Sequence, residues 1–146
     1  MKNSSASPFD QPRIIAWEVT RQCNLNCKHC RAAARNIFYE NEFTTEQCFR
    51  LLENIAAFAR PIIILTGGEP MLRTDIYDIA RHGHELGLRM VMAPCGVLVD
   101  NAAVKKMLAA GIQCISISID GATAESHDGF RCVSGVFDTA LQAVAA

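Results

Sequence analysis

Apolar positions along this chain follow two alternating rhythms. Short runs of β-branched and aliphatic residues, at 13–20, 62–66, 88–93 and 112–119, have the length and composition of strands. Between them apolar residues recur three and four apart, the spacing of a helix with one buried stripe. The run RIIAWEVT (13–20) is expected to be a buried strand, and IIILT (62–66) a strand covered on both faces. Thr44-x-x-Gln47 has the form of a capping box, so a helix should follow it, with Cys48, Leu51, Leu52, Ile55 and Phe58 inward, ending before Pro61. Gly67 and Gly68 close the second strand, and Thr74 or Asp75 opens a second helix that stops at Gly87. The third strand breaks at Pro94-Cys95-Gly96, Asp100 caps a third helix running to Gly111, and 136–146 begins a fourth helix.

Strands and helices in strict alternation imply a parallel sheet with right-handed crossovers. The fourth strand should have two unlike faces, with Ile115, Ile117 and Ile119 on one and Cys114, Ser116, Ser118 and Asp120 on the other. A polar face is out of place in a dry, doubly covered sheet and suits a barrel interior that holds a ligand. The expected fold class is therefore α/β: a partial (β/α) barrel of about four βα units over residues 13–146, after a disordered segment at 1–12. Chemistry in such folds gathers at the carboxyl ends of the strands. The unusual segments here all fall there: the cysteines after strand one, Gly67 to Pro70, Pro94 to Gly96, and Asp120-Gly121.

Composition narrows the field. The 146 residues suit one domain, half are hydrophobic, and the net charge is −1. No dense lysine and arginine run marks a nucleic-acid or anionic-membrane partner, and no apolar run is long enough to span a bilayer. The first ten residues lack the apolar stretch of a secretory signal, so a cytoplasmic protein is expected. Seven cysteines, an odd number at uneven spacing, fit a disulfide framework poorly. Cys48, Cys95, Cys114 and Cys132 are expected to pack as small hydrophobes.

The other three form Cys23-x3-Cys27-x2-Cys30 in a polar loop. Three thiolates on a four-iron, four-sulfur cluster leave one iron without a protein ligand, since such clusters usually take four. An open position of that kind holds a substrate or cofactor, as in catalytic zinc sites. Zinc is the competing metal, with His29 completing a Cys3His set. His29 adjoins Cys30, however, and adjacent residues seldom reach one tetrahedral ion, so the spacing favours iron and sulfur.

A C-x3-C-x2-C loop after a first strand, followed by Thr66-Gly67-Gly68-Glu69-Pro70 after the second, resembles the radical S-adenosylmethionine (radical SAM) superfamily. The strings Trp17-Glu18-Val19-Thr20, Ser118-Ile119-Asp120-Gly121 and His127-Asp128-Gly129-Phe130-Arg131 look like the SPASM-type branch, which matures peptides and sulfatases and tailors haem precursors. The resemblance implies a [4Fe–4S] cluster on Cys23, Cys27 and Cys30, and S-adenosylmethionine at its open iron. It implies reductive cleavage of that cofactor to a 5′-deoxyadenosyl radical that attacks a haem precursor or peptide.

Gly67, Gly68 and Glu69 would receive the ammonium group, Ser118 and Asp120 the ribose, and Arg131, in a loop after strand four, the carboxylate. His29 would lie near the adenine. Each has an ordinary alternative: a glycine turn with a solvated glutamate, an Asp-Gly turn ending a strand, a surface arginine, an exposed histidine. Cys95 stands where many relatives have asparagine in a Thr-Asn-Gly turn. An electron donor such as flavodoxin or ferredoxin is implied, and no nucleic acid or membrane. The family core resembles six βα units and four are present, so a fragment with impaired turnover is expected. A non-catalytic zinc or structural iron–sulfur module is the alternative.

Overall fold

A computed structural model describes residues 11–146. The disordered segment expected at 1–12 lies outside them except for its last two positions. The elements are β1 (Ile14–Thr20), α1 (Thr45–Phe58), β2 (Ile62–Gly67), α2 (Ile76–Glu85), β3 (Arg89–Met92), α3 (Asn101–Ala109), β4 (Ile112–Ile115), α4 (Ala124–Arg131) and α5 (Val136–Ala145). The strands form one sheet in the order β1-β2-β3-β4, each pair parallel. This is the partial α/β barrel that the alternation implies.

Helices α1, α2 and α3 pack on one face of the sheet. Ile63 and Leu65 of β2, Met90 and Met92 of β3 and Ile112 of β4 are buried with Leu52, Ile76, Ile79 and Met107 from α1, α2 and α3. The approach is close: a Cβ on Gly83 of α2 would lie 2.5 Å from Met90 Sδ. On the other, concave face Ala16 and Glu18 of β1 and Cys114 of β4 are exposed, as are Ser116 and Ser118 beyond it. Among the described residues no helix is long and apolar enough to cross a membrane.

Local signals placed the helix ends well. Thr44 and Gln47 form the reciprocal capping box of α1, and Asp100 accepts from Ala103 N at 2.7 Å to cap α3. Five expectations need correction. β1 is not a buried strand, because it is a sheet edge and its alternate residues face the open side. β4 stops at Ile115, since β3 ends at Met92 and only one further bond, Ser116 N to Met92 O at 2.9 Å, remains to be made. Ile119 is accordingly 46% exposed, while Ile115 and Ile117 pack on the core. Phe58 is 61% exposed, and Ala56 and Ala59 take the buried places near the end of α1. β2 is not covered on both faces, since Ile63 and Leu65 are buried but Ile62 and Ile64 only half so. Asp75, by contrast, opens α2 as its N-cap, as the sequence suggested, with a side chain that receives Arg73 and Thr45. Burial would raise the Asp75 carboxyl, but those hydrogen bonds outweigh it and hold it below its ordinary value.

The fifth correction is α4, which falls where a loop was expected. Arg131 is therefore the last residue of a helix rather than part of a loop. Two of the scattered cysteines also depart from the packing expectation. Cys48 is buried, but Cys114 is exposed on the concave face, and Cys132 is exposed at the C-cap of α4 with φ 59°.

Candidate functional site

The carboxyl ends of the strands surround a cavity of about 490 Å³. Cys23, Cys27 and Cys30 all line it, so the three clustered cysteines face one space. Its floor is the concave face of the sheet (Ala16, Glu18, Thr66 and Ala93), and its rim includes Gly67, Gly68, Cys95, Ser118 and Arg131.

The cysteine loop is fixed to the sheet by backbone bonds. Gly68 N donates to Thr20 O and Glu69 N to Gln22 O, both at 2.7 Å, while Cys23 N donates to Arg35 O at 3.0 Å and so ties the loop to itself. The two glycines make that docking possible. A Cβ on Gly67 would lie 2.2 Å from Thr20 O, and one on Gly68 2.2 Å from Gln22 O. Gly67 also has φ 129°, which side-chain-bearing residues rarely adopt. The missing side chains thus admit the neighbouring backbone, beyond leaving their own carbonyls accessible.

Each of the three sulfurs accepts an N–H. Leu25 N lies 3.4 Å from Cys23 Sγ, Ala34 N 3.4 Å from Cys30 Sγ, and Arg131 Nη1 3.7 Å from Cys27 Sγ. Burial pushes the Cys23 thiol up, against the pull of the Leu25 N–H. Among the described residues no three His, Cys, Asp or Glu side chains converge on a single-ion position.

The other expected site residues divide. His29 lines the cavity and stacks on Phe130 of α4, with ring centroids 4.6 Å apart. Ser118 lines it too, from irregular chain beyond β4. Arg131, 8% exposed, donates from Nη2 to Ser118 O at 3.2 Å, and its Nε lies 2.5 Å from Asp120 Oδ2 as an ion pair rather than an aligned hydrogen bond. Asp120 is not a lining residue; its N–H donates to His127 Nδ1 at 3.1 Å. Glu69 is also absent from the lining. It is fully buried, accepting Met71 N at 3.0 Å and Cys95 N at 2.6 Å. Burial raises its carboxyl pKa, and those N–H groups only partly oppose this.

Glu18 and Ala16 were not singled out for the cavity, although their alternation with Ile15, Trp17 and Val19 is visible in the sequence. Cys95, expected to pack, is half-buried and lines the cavity with Sγ 3.6 Å from Asn24 Oδ1. Burial, reinforced by the Glu69 charge, pushes its thiol far up.

The chain is similar to several known proteins. An AdoMet-dependent heme synthase of Methanosarcina barkeri is 47% identical over 91% of this chain, and a Fe-coproporphyrin III synthase of the same organism 39% identical over 91%. The mycofactocin maturase MftC of Mycolicibacterium smegmatis is 30% identical over 93%. The chain spans 38%, 33% and 34% of those three proteins. Among solved structures, native anSMEcpe with bound AdoMet superposes with TM-score 0.72 at 17% identity, covering 90% of this chain and 39% of that one. Methylornithine synthase (PylB) gives 0.72 at 19%, covering 94% and 42%. These structures establish the barrel fold. The family model of the Radical SAM superfamily matches residues 17–146, so the chain belongs to that superfamily.

Proposed function

We propose that this chain binds a [4Fe–4S] cluster through Cys23, Cys27 and Cys30, with S-adenosylmethionine beside it, as part of an enzyme that tailors a haem precursor. The observation that carries the reading is the shared cavity, in which one loop's three thiols face the Gly67–Gly68 wall and Ser118. The donor set suits a cluster. A single tetrahedral zinc with Zn–S bonds of ~2.3 Å needs its ligands drawn tightly round one point, whereas a cluster takes cysteines at separate irons. Cys23, Cys27 and Cys30 all line one cavity of about 490 Å³.

When bound, the pair supplies one-electron cleavage of S-adenosylmethionine and hydrogen abstraction from an unactivated carbon. The chain's own residues bind and orient. The carbonyls of the Gly67–Gly68 wall receive the ammonium group, with the Glu69 charge behind them. The Ser118 hydroxyl meets the ribose, with Asp120 beneath it, and His29 offers adenine the ring face not covered by Phe130. A haem precursor is preferred to a peptide because the heme synthases are far more similar to this chain than the mycofactocin maturase. A small iron–sulfur or flavin protein, such as ferredoxin or flavodoxin, delivers electrons at the half-exposed Cys27 and Cys30, in the cytoplasm where thiols stay reduced.

Anaerobic reconstitution with iron and sulfide, then electron paramagnetic resonance of the reduced protein, tests this. A four-iron signal that changes on adding S-adenosylmethionine is expected. Stoichiometric zinc with no cluster would overturn the reading in favour of a non-catalytic module.

A further inference from the structure

Arg131 is the most constrained cation of the site, and its contacts point at the cluster loop. Its guanidinium spans three partners: Cys27 Sγ at 3.7 Å, Ser118 O at 3.2 Å and Asp120 Oδ2 at 2.5 Å. The helix that carries it is docked on the same loop. Lys28 N donates to Phe130 O at 3.0 Å, and the Phe130 ring stacks on His29. At 8% exposure the charge is poorly screened by water.

The three thiol sulfurs differ in one respect. Cys23 and Cys30 accept backbone N–H groups, whereas Cys27 accepts a side-chain cation, itself set against a carboxylate. Hydrogen bonds to cluster sulfurs and local charge are what set the reduction potential of an iron–sulfur centre, because donors and cations favour the more negative, reduced form. We infer that Arg131 is a positioning residue that raises the reduction potential of the cluster through the Cys27 sulfur, and that Asp120 sets how far. Asp120 opposes it, since its charge offsets part of the guanidinium's. The inference rests on the cluster reading above, and it turns Arg131 from the cofactor's carboxylate towards the protein's own ligand.

The test is a redox titration of the reconstituted chain, followed by electron paramagnetic resonance without S-adenosylmethionine. Arg131→Gln is expected to lower the midpoint, so that at a fixed poise the reduced-to-oxidised ratio falls about tenfold, or about 59 mV for one electron. Arg131→Lys should fall between, keeping the charge but losing the fork. Asp120→Asn should shift the midpoint the other way, a sign reversal that loosened packing would not produce. Asp120→Asn also carries the test if Arg131→Gln fails to fold or hold iron. Unchanged midpoints in the cluster-bearing variants, with weaker S-adenosylmethionine binding in Arg131→Gln, would overturn the inference and return the guanidinium to the cofactor. A parent chain that forms no cluster would overturn the functional reading and this inference with it.

Discussion

Glu69 shows how a single residue can serve a site without touching its cavity. Its carboxylate ties Met71 N, at the start of the turn after β2, to Cys95 N, at the turn after β3. The cost is a buried charge, and the raised pKa records it. For an acid whose folded pKa lies above its unfolded value, the folded state binds more protons between the two. Stability therefore rises as pH falls through the folded value towards the ordinary carboxylate range. Urea unfolding of the apo chain between pH 8 and pH 5 should show this, with the parent gaining stability relative to Glu69→Gln as pH drops. A constant difference across that window would mean Glu69 titrates normally. Glu69→Ala removes both acceptors and should cost about 1–3 kcal/mol for each N–H left unpaired. Gly68 is a sharper case, because backbone fills the space its side chain would take. Gly68→Ala should destabilise by about 1–3 kcal/mol, as overpacking does, and cut iron retention more than Gly87→Ala, where nothing lies within 4 Å of the added Cβ. Iron content per folded chain checks this, with thermal unfolding alongside.

At the scale of elements, what was legible was local. A capping box, an Asp cap and glycines at positive φ are decided within four or five residues, so α1 and α3 ended where their sequences said. β4 was misjudged because a strand's length depends on its neighbour: 112–119 alternates well, but β3 offers it no ladder beyond Met92. α4 was hidden for a different reason. Its two buried residues are His127 and Arg131, both polar, so its sequence AESHDGFR carries no apolar stripe. Its signature is in its ends and bonds, with Thr123 and Ser126 capping each other. Asp128 then binds Gly135 N at 2.6 Å and Phe137 N at 2.8 Å, capping α5, which has no side-chain cap at its own N-cap residue. Asp128→Ala should cost about 1–3 kcal/mol in thermal unfolding, from two hydrogen bonds to one charged acceptor. Part of that loss should appear as weaker cluster retention, since α5 packs on α4 and α4 docks on the cysteine loop.

The whole molecule has two cores of unequal strength. Among the described residues seventeen buried ones link the sheet to its helices, whereas Cys23, Leu25, Ala34 and Val136 form the buried centre beneath the cysteine loop. That the strand ends converge on one cavity could be read from sequence, because a parallel sheet puts them there whatever the side chains. That a polar helix reaches the cavity rim through Arg131 could not. A loop with so small a core is held mainly by its backbone bonds to β1 and β2 and by what its thiols bind. Loading the site should therefore protect this region selectively. Amide exchange with and without a bound cluster should leave β2, β3 and α1 to α3 almost unchanged. Residues 21–35 and α4 should slow by about 100-fold on loading, equivalent to about 2.7 kcal/mol of linkage. Uniform protection across the sheet would instead make the cluster part of the global fold, and chelation would then unfold the chain rather than loosen one loop.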